Sequence, residues 1–325
     1  SRSVQQKDIA SEVPLHTQDR SFEQRQRRFL MNEQVDVDRV YAPFIRPFMQ
    51  ASKGQMIPIT LDGSAAGYHC QMLMAAVSYQ HRALPLAWLA RRGHKGHFSA
   101  AEHLEVVRRA AELVPEDTDV VLLGDGEFGN VPLADDATHR GWSFVFRTSC
   151  DDTIWLDGEQ HSLAEFSVEP DEVLWLESVR WTGEQFGPVN VIVSWNEDEQ
   201  APMYLVTNFA LPDEALYWYK RRFWIEPMFR DDKSMGFHLQ TSHLRDSKRM
   251  ERLLLIVSLS YLWILFLGTL AVLCGAVCLI DRADRRDCSL FSYGLRWLRR
   301  LLKLDLHIPV RFCPYRSLHL RPAGV

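Results

Sequence analysis

The sequence predicts an α/β fold in which a mixed β-sheet is flanked by helices. Short apolar runs bounded by turn residues fill much of residues 56–207, whereas helical patterns dominate from residue 212 onward. A helical pattern also separates two of the apolar runs, and a strand, helix, strand order requires a crossover between parallel strands. Of the 325 residues, 46% are hydrophobic and 24% are charged, which supports a buried core and excludes a disordered chain.

The first strands predict a three-stranded antiparallel meander. Residues 56–61 form a short apolar run that ends in the turn sequence Asp62-Gly63-Ser64. Two further apolar runs, 71–79 and 83–89, are separated by a short polar stretch, as the strands of a hairpin are. The three runs therefore pair in chain order.

The crossover helix follows the meander. Ser99 and Glu102 have the spacing of a capping box, and apolar residues recur at helical intervals through residues 99–114. Buried strands are expected at residues 119–124 and 142–147, which places the helix between strands of one mixed sheet.

Charge is distributed unevenly between two later segments, although the net charge of the chain is only −5. Residues 151–200 carry thirteen acidic side chains and one basic side chain, Arg180, whereas residues 282–325 carry ten basic and three acidic ones. The two segments could have separate electrostatic roles, with one of them facing phosphate. Two charged surfaces that face solvent would explain the asymmetry equally well.

Composition and pattern divide the chain into five segments. Residues 1–50 are polar, with Pro43 and Pro47 expected to interrupt a helix near their end. The other four segments follow in chain order: a first part of the core at 51–149, a β-rich insertion at 150–208, a second part of the core at 209–281, and a basic helical tail at 282–325.

Residues 253–280 contain no charged side chain, so by length alone they qualify as a transmembrane helix. A long helix enclosed by a sheet and other helices is also apolar on all sides. Small and polar positions inside the run, together with charged flanks, favour a core helix that breaks near Gly268 or Gly275.

The six cysteines have irregular spacing and no zinc-finger arrangement with histidines, so a structural zinc site is not expected. Reduced thiols in a cytoplasmic protein fit this pattern best. The first residues lack the apolar core of a signal peptide, and because the chain begins with Ser1 we expect that something upstream is missing.

Two acidic residues share the same local context. Asp62 and Asp125 each follow a short apolar strand and precede a glycine. Carboxylates at the ends of neighbouring strands meet at one edge of a sheet, where they can hold a pair of divalent cations. A simple turn also requires Asp-Gly at such a position, so the pattern alone leaves both interpretations open.

A second pattern lies on the helix expected from Pro212 to about residue 234. Tyr219, Arg222, Glu226 and Lys233 are separated by three, four and seven residues, so one face of a continuous helix presents all four. A stripe of surface ion pairs would have this pattern. Alternatively, Glu226 is a third carboxylate ligand of a metal, and the side chains beside it donate to phosphate oxygens.

Together these residues resemble transposases of the insertion-sequence-4 family, whose signature is this Y-x(2)-R-x(3)-E-x(6)-K spacing. The resemblance covers roughly residues 55–280 and implies an RNase H-like core with a β-rich insertion between the second Asp and the Glu. It implies a DDE transposase that performs cut-and-paste DNA transposition, with Asp62, Asp125 and Glu226 as catalytic ligands of two Mg²⁺ ions, for which Mn²⁺ substitutes.

The resemblance also implies that Tyr219, Arg222 and Lys233 contact DNA phosphates. The expected partner is double-stranded DNA, at terminal inverted repeats and at a target, bound by a homodimer without a membrane. The chain is then expected in a prokaryotic cytoplasm, associated with the nucleoid when active. Relatives have a core helix at the apolar run, which further favours that interpretation here.

The sequence departs from the family in two places. A basic residue commonly follows the second Asp, whereas this chain has Gly126-Glu127, and we expect Glu127 to face solvent. Residues 1–50 are too short and irregular for a complete DNA-binding domain, so recognition of the element's ends is expected to be incomplete.

The insertion contains four tryptophans, and the family resemblance makes each a candidate for stacking on a flipped base. Core packing is the alternative role, and we expect at most one of the four to meet a base. The candidates are Trp155, Trp175, Trp181 and Trp195.

Three other functions remain compatible with the sequence. A two-metal nuclease of the same fold would cut DNA without joining it, and a decayed transposase copy would do neither. A membrane-anchored or structural protein would use Asp62 and Asp125 as turn residues only and would bind no metal.

Overall fold

A ten-stranded β-sheet connects the described parts of the chain, and its strand order is β3-β2-β1-β4-β5-β10-β9-β8-β6-β7. The structure is a computed structural model that describes residues 3–12, 19–93, 96–197, 199–282 and 288–316. Helices flank the sheet, so the predicted α/β class with a mixed, helix-flanked sheet is confirmed.

The N-terminal segment is more helical than the sequence suggested. It forms α1 (Gln6–Ala10), α2 (Asp19–Met31) and α3 (Val37–Gln50). The expected interruption by Pro43 and Pro47 is wrong, because α3 continues through both prolines. Its buried face, formed by Tyr41, Ile45, Phe48 and Met49, supplies packing that offsets the two missing backbone donors.

The predicted meander is confirmed. Strands β1 (Ile57–Ala66), β2 (Cys70–Tyr79) and β3 (Arg82–Arg92) pair antiparallel in chain order. Their inner residues are almost all buried, because helices cover the sheet. Strand β1 continues past the expected turn at Asp62.

The crossover helix is α4 (Ala100–Ala111), with Ser99 and Glu102 forming the predicted capping box. It leads to β4 (Val120–Gly124), which runs parallel to β1. Helix α5 (Val131–His139), which the sequence analysis did not predict, then leads to β5 (Ser143–Thr148), parallel to β4. The order 3-2-1-4-5 with these directions is that of an RNase H-like core.

The β-rich insertion extends the same sheet. Strand β10 pairs antiparallel with β5 on one side and with β9 on the other, so the added strands continue the core without a break. The five strands are β6 (Thr153–Leu156), β7 (Glu159–Ser162), β8 (Val173–Trp181), β9 (Phe186–Ser194) and β10 (Met203–Thr207). The segment boundaries at 150 and 208 stay a prediction.

The continuous helix expected from Pro212 is wrong. Helix α6 (Pro212–Tyr219) passes into a 3₁₀ turn at Lys220–Trp224, then into α7 (Ile225–Arg230) and a π turn at Asp231–Met235. Pro227 has no backbone N–H to offer the carbonyl of Phe223, which weakens a continuous α-helix at this point.

The long apolar run forms α8 (Ser247–Leu273), and the basic tail contains α9 (Leu290–Lys303). Within the described chain, α8 is the one helix that by length and composition could span a membrane, and 72% of its most apolar window is buried. That burial is typical of a core helix, while the expected absence of a membrane stays a prediction. Residues 283–287 and 317–325 of the predicted tail lie outside the described residues.

Alternating side chains assign helices to opposite faces of the sheet. Leu122 and Phe144 belong to one buried cluster, which also contains residues of α5. Their neighbours Leu123 and Val145 belong to a second cluster, which contains Tyr219 at the end of α6. Since Asp125 is two residues after Leu123, it faces the side of the sheet on which Tyr219 lies. We call residues 219–233, which carry the Y-R-E-K spacing, the motif segment.

Candidate active site

Asp62 lies inside β1, opposite Met74 of β2, so its predicted position at the end of a strand is wrong. The hairpin with β2 carries β1 further than the apolar run indicated. Asp125 does follow β4 directly. The parallel register joins Thr60 to Leu123, and two further residues on each strand bring Asp62 level with Asp125 on the same face.

The environment of Asp62 disfavours its charged form. The pKa of Asp62 is raised to about 7, mainly by burial and in addition by the nearby carboxylates of Asp125 and Glu226. The Arg222 guanidinium and the Gly63 N–H oppose this shift. The three carboxylates therefore interact electrostatically across one site, where a cation would relieve their repulsion.

The loop after β4 is fixed by Glu127. Its carboxylate accepts a 2.6 Å hydrogen bond from the Phe98 N–H and lies 3.2 Å from His97 Nδ1 and 3.4 Å from His103 Nε2. Its own N–H donates to Asp125 Oδ1 over 3.0 Å. The expectation that Glu127 faces solvent is thus wrong, because it joins the start of α4 to the loop that carries Asp125.

Tyr219 and Arg222 line the site from the motif segment. Tyr219 is buried, which raises its pKa, and the cations Arg222 and Arg147 oppose that shift. The guanidinium of Arg222 lies 5.8 Å from the Tyr219 ring centroid and 4.3 Å from that of Phe223. Its Nε is buried and has no hydrogen-bond partner among the described residues.

Glu226 and Lys233 share a cavity of about 410 Å³ with Asp62, although π and α turns separate them along the chain. The ammonium of Lys233 donates to the hydroxyl of Ser64, two residues beyond Asp62 on β1. Burial lowers the pKa of Lys233, whereas Asp62 and Asp232 oppose that shift. Arg230 is exposed and also lines this cavity.

The carboxylates have the right chemistry for a hard divalent cation. Mg²⁺ binds through one or two protein carboxylates and otherwise keeps water or substrate oxygens. Among the residues that the structure describes, no group of three or more His, Cys, Asp or Glu side chains is arranged closely enough to hold a metal ion by itself. Asp62 and Asp125 are level with each other, whereas exposed Glu226 has to move closer.

The four tryptophans of the insertion have different environments. Trp181 is 0% exposed, so its ring is part of the core. Trp155, Trp175 and Trp195 are half-buried, and the indoles of the last two donate to Glu177 and to the Glu199 carbonyl. The predicted stacking on a base is untested for these three.

Several residues at the site were not singled out from the sequence. Ser64 and Arg230 could have been found by periodicity, because they are two residues from Asp62 in a strand and four from Glu226 in a helix. Arg147 gave no such signal, since it reaches Tyr219 only through the order of the strands.

The sheet thus places Asp62 of β1 level with Asp125, directly after β4, and the facing segment carries cations. Residues 62–263, more than half of the chain, match the family described as Transposase DDE domain. The chain belongs to this transposase family. The match begins at Asp62 and includes Asp125, Glu226 and Lys233.

No protein of curated function matches the sequence. A piggyBac transposase, solved by cryo-EM in a synaptic complex with hairpin DNA, is similar with 10% identity and a TM-score of 0.45, over 76% of this chain and 54% of that one. The chain thus spans about half the length of that transposase.

Human endonuclease V is similar at a lower level. Its catalytic domain shows 12% identity and a TM-score of 0.30, over 66% of this chain and 95% of that chain. A second structure of human endonuclease V shows 13% identity and a TM-score of 0.27, over 73% of this chain and 97% of that chain. The family assignment rests on the domain match alone.

Proposed function

We propose that the protein is a DNA transposase that cuts DNA strands at the ends of a mobile element and joins the freed ends to a target. The observation that carries the proposal is that Asp62 and Asp125 lie level on one face of the sheet, while Glu226 and Lys233 share a cavity with Asp62. Three interacting carboxylates next to Arg222 and Lys233 suit a phosphodiester substrate better than they suit a surface ion-pair network.

The cations of the site bind and orient the DNA backbone. Lys233, half-buried and held at Ser64, places its ammonium beside Asp62, where it meets a phosphate at the cleavage point. Arg222 supplies a planar guanidinium whose Nε has no partner among the described residues. Tyr219, packed against the sheet, positions Arg222 and offers its hydroxyl to the same backbone.

Asp62, Asp125 and Glu226 would hold two Mg²⁺ ions, or Mn²⁺ as a substitute. When bound, such a pair activates the attacking hydroxyl and stabilises the leaving oxygen. The protein's own contribution is to keep Asp62 and Asp125 level through sheet register and to bring Glu226 across the cavity.

The Y-R-E-K spacing supports membership of the insertion-sequence-4 group and a cut-and-paste reaction. A homodimer on paired DNA ends, and a cytoplasmic location with nucleoid association during activity, follow from that reaction rather than from any contact within the chain.

The test uses the full chain and a labelled duplex that carries the inverted repeats flanking the reading frame. We expect strand cleavage with Mg²⁺ or Mn²⁺, loss of cleavage with a chelator, and a joined product when a target plasmid is added. Asp125→Asn is expected to abolish both products, whereas Asp135→Asn, an exposed position on α5, serves as the matched control.

Each other outcome contradicts a defined part of the proposal. Metal-dependent cleavage without a joined product would identify a nuclease. A folded chain that binds the duplex without cutting it would identify a decayed copy. Failure to bind DNA or metal would show that Asp62 and Asp125 have a structural role only.

A further inference from the structure

The tip of the β1–β2 hairpin is fastened to the segment that precedes α8. Gly67 has a φ of +76°, and a Cβ there would lie 2.4 Å from the Ser242 carbonyl oxygen, so only glycine allows this approach. Tyr68 N–H donates to that same oxygen over 2.9 Å. Cys70 Sγ contacts the Leu244 carbonyl at 3.5 Å. The tip is therefore held in one position.

This fastening leaves an aromatic pair exposed. The ring of Tyr68 is stacked on that of His243, with centroids 4.7 Å apart and planes 15° apart, while Tyr68 is 51% exposed. The Tyr68 hydroxyl makes no hydrogen bond to the described residues, so it is free to bind a ligand. Such a ring is held in position without being buried, which is unlike a core contact.

Two arginines flank the pair. Arg92 lies opposite Cys70 in the β2–β3 register, and Arg245 follows His243 by two residues; both are exposed and form no ion pair within the described chain. The adjacent carboxylate, Asp246, is occupied as the N-cap of α8, where it accepts from the Arg249 N–H. We define Tyr68, Arg92, His243 and Arg245 as the hairpin-tip surface.

Strand β1 connects the active site to the hairpin tip. Four residues of extended strand lead from Asp62 to Ala66, a distance of about 13 Å, and Gly67 and Tyr68 belong to the turn that follows. Ser64, which contacts Lys233, lies on this part of the strand. A DNA strand advances about 3.4 Å per nucleotide, so a strand that follows β1 reaches the tip about four nucleotides from the carboxylates.

We propose that the hairpin-tip surface binds the DNA backbone about four nucleotides from the cleavage point. Arg92 and Arg245 each neutralise one phosphate, and the Tyr68 hydroxyl donates to an oxygen of the same backbone, with His243 holding its ring. The inference rests on the proposed function, because it takes DNA as the partner and β1 as its direction. Exposed cations around a fixed aromatic group match the charge and the shape of a sugar-phosphate backbone.

The experiment measures affinity of the full chain for a fluorescent 30-base-pair duplex of arbitrary sequence at several KCl concentrations. Arg92→Ala/Arg245→Ala is expected to lower the magnitude of the log K against log salt slope by about 1.8, since each phosphate contact contributes about 0.9. Tyr68→Phe is expected to weaken binding about threefold without changing the slope. The matched control, Arg39→Ala/Arg46→Ala, removes two exposed arginines of α3 and should change neither quantity.

Lys233→Ala separates failure of this inference from failure of the proposed function. If Lys233→Ala weakens binding while the double arginine variant keeps the wild-type slope, the hairpin-tip surface is not a DNA contact. The same holds if the α3 control lowers the slope equally. If the wild-type chain does not bind the duplex at all, both the inference and the proposed function are wrong.

Discussion

The two sides of the candidate active site are built by different kinds of backbone. Asp62 and Asp125 are held level by the hydrogen-bonded register of β1 and β4 at the centre of the sheet. Glu226 and Lys233 come from a segment in which 3₁₀, α and π turns follow one another within sixteen residues. One side is fixed by its neighbours, whereas the other can change its pitch by exchanging one type of turn for another.

This difference assigns separate tasks to the two sides. A strand pair defines where a cation can sit before anything is bound, because its geometry is shared with the whole sheet. An irregular helical segment sets how far Glu226 and Lys233 reach across the cavity. We infer that adjustment during binding occurs on the helical side.

The largest predicted effect tests this asymmetry through side-chain length. Asp62→Glu adds one methylene on the rigid side and is expected to reduce single-turnover cleavage at least about 10³-fold, since several kcal/mol of charge stabilisation are lost. Glu226→Asp removes one methylene on the helical side and is expected to reduce single-turnover cleavage only about 10–50-fold. Equal losses would contradict the comparison.

A smaller effect is expected from Pro227→Ala. The alanine N–H can bond to the Phe223 carbonyl, so α6 and α7 can merge into one helix and turn Arg222 away from Tyr219. We expect cleavage to fall about tenfold while the unfolding free energy rises by about 1 kcal/mol. Rapid-quench kinetics and urea unfolding measure the two quantities, and Pro132→Ala at the start of α5 is the matched control.

On the rigid side, Glu127 positions the Asp125 loop. Glu127→Gln keeps an acceptor for the Phe98 N–H and is expected to lower cleavage about twofold, whereas Glu127→Ala frees the loop and lowers it about tenfold. The Mn²⁺ affinity should fall in parallel with the rate. If Ala and Gln variants behave alike, the hydrogen bond to Phe98 is not what matters.

The last prediction concerns stability rather than rate. Asp232 in the π turn is fully enclosed, and burial raises its pKa to about 7 despite the opposing Lys233. The unfolded chain loses this proton near pH 4 and the native chain near pH 7, so the native state becomes less stable as pH rises through that interval. Asp232→Asn removes this loss.

We therefore expect the free energy of unfolding of Asp232→Asn to exceed that of the wild type by about 1–3 kcal/mol at pH 8 and to equal it at pH 4. Urea unfolding at the two pH values measures the difference. Cleavage should stay within about twofold, because Asp232 lies behind Lys233. Equal unfolding free energies of the wild type and the variant at both pH values would show that burial does not raise the pKa of Asp232.

The sequence analysis was most successful where local signals agree with packing. The meander, the capped helix α4 and the strands β4 and β5 have strong periodicity and clear end signals, and the structure contains all of them. Helix α5 was not predicted because only Leu133, Ala134 and Ala137 of its nine residues are buried, which leaves no apolar stripe to detect.

At the site, the backbone that carries the predicted side chains differs from the one that the sequence indicated. The Y-R-E-K spacing assumed one helix, and Pro227 with the π turn breaks it, yet Glu226 and Lys233 still share the cavity with Asp62. The role of Glu127 depends on Phe98 and His103, which are more than twenty residues away in the chain. Contacts of that kind are set by tertiary packing and leave no local pattern.

The unbroken sheet has a mechanical consequence. Strand β10 forms backbone hydrogen bonds with β5 of the core and with β9 of the insertion, so no linker separates the two. A load applied to β8 or β9 is transmitted across the sheet to β4 and the Asp125 loop through a series of short, stiff bonds. The insertion is therefore expected to move with the carboxylates as one rigid body. A ligand bound at the far end of the insertion would stay at a fixed distance from them.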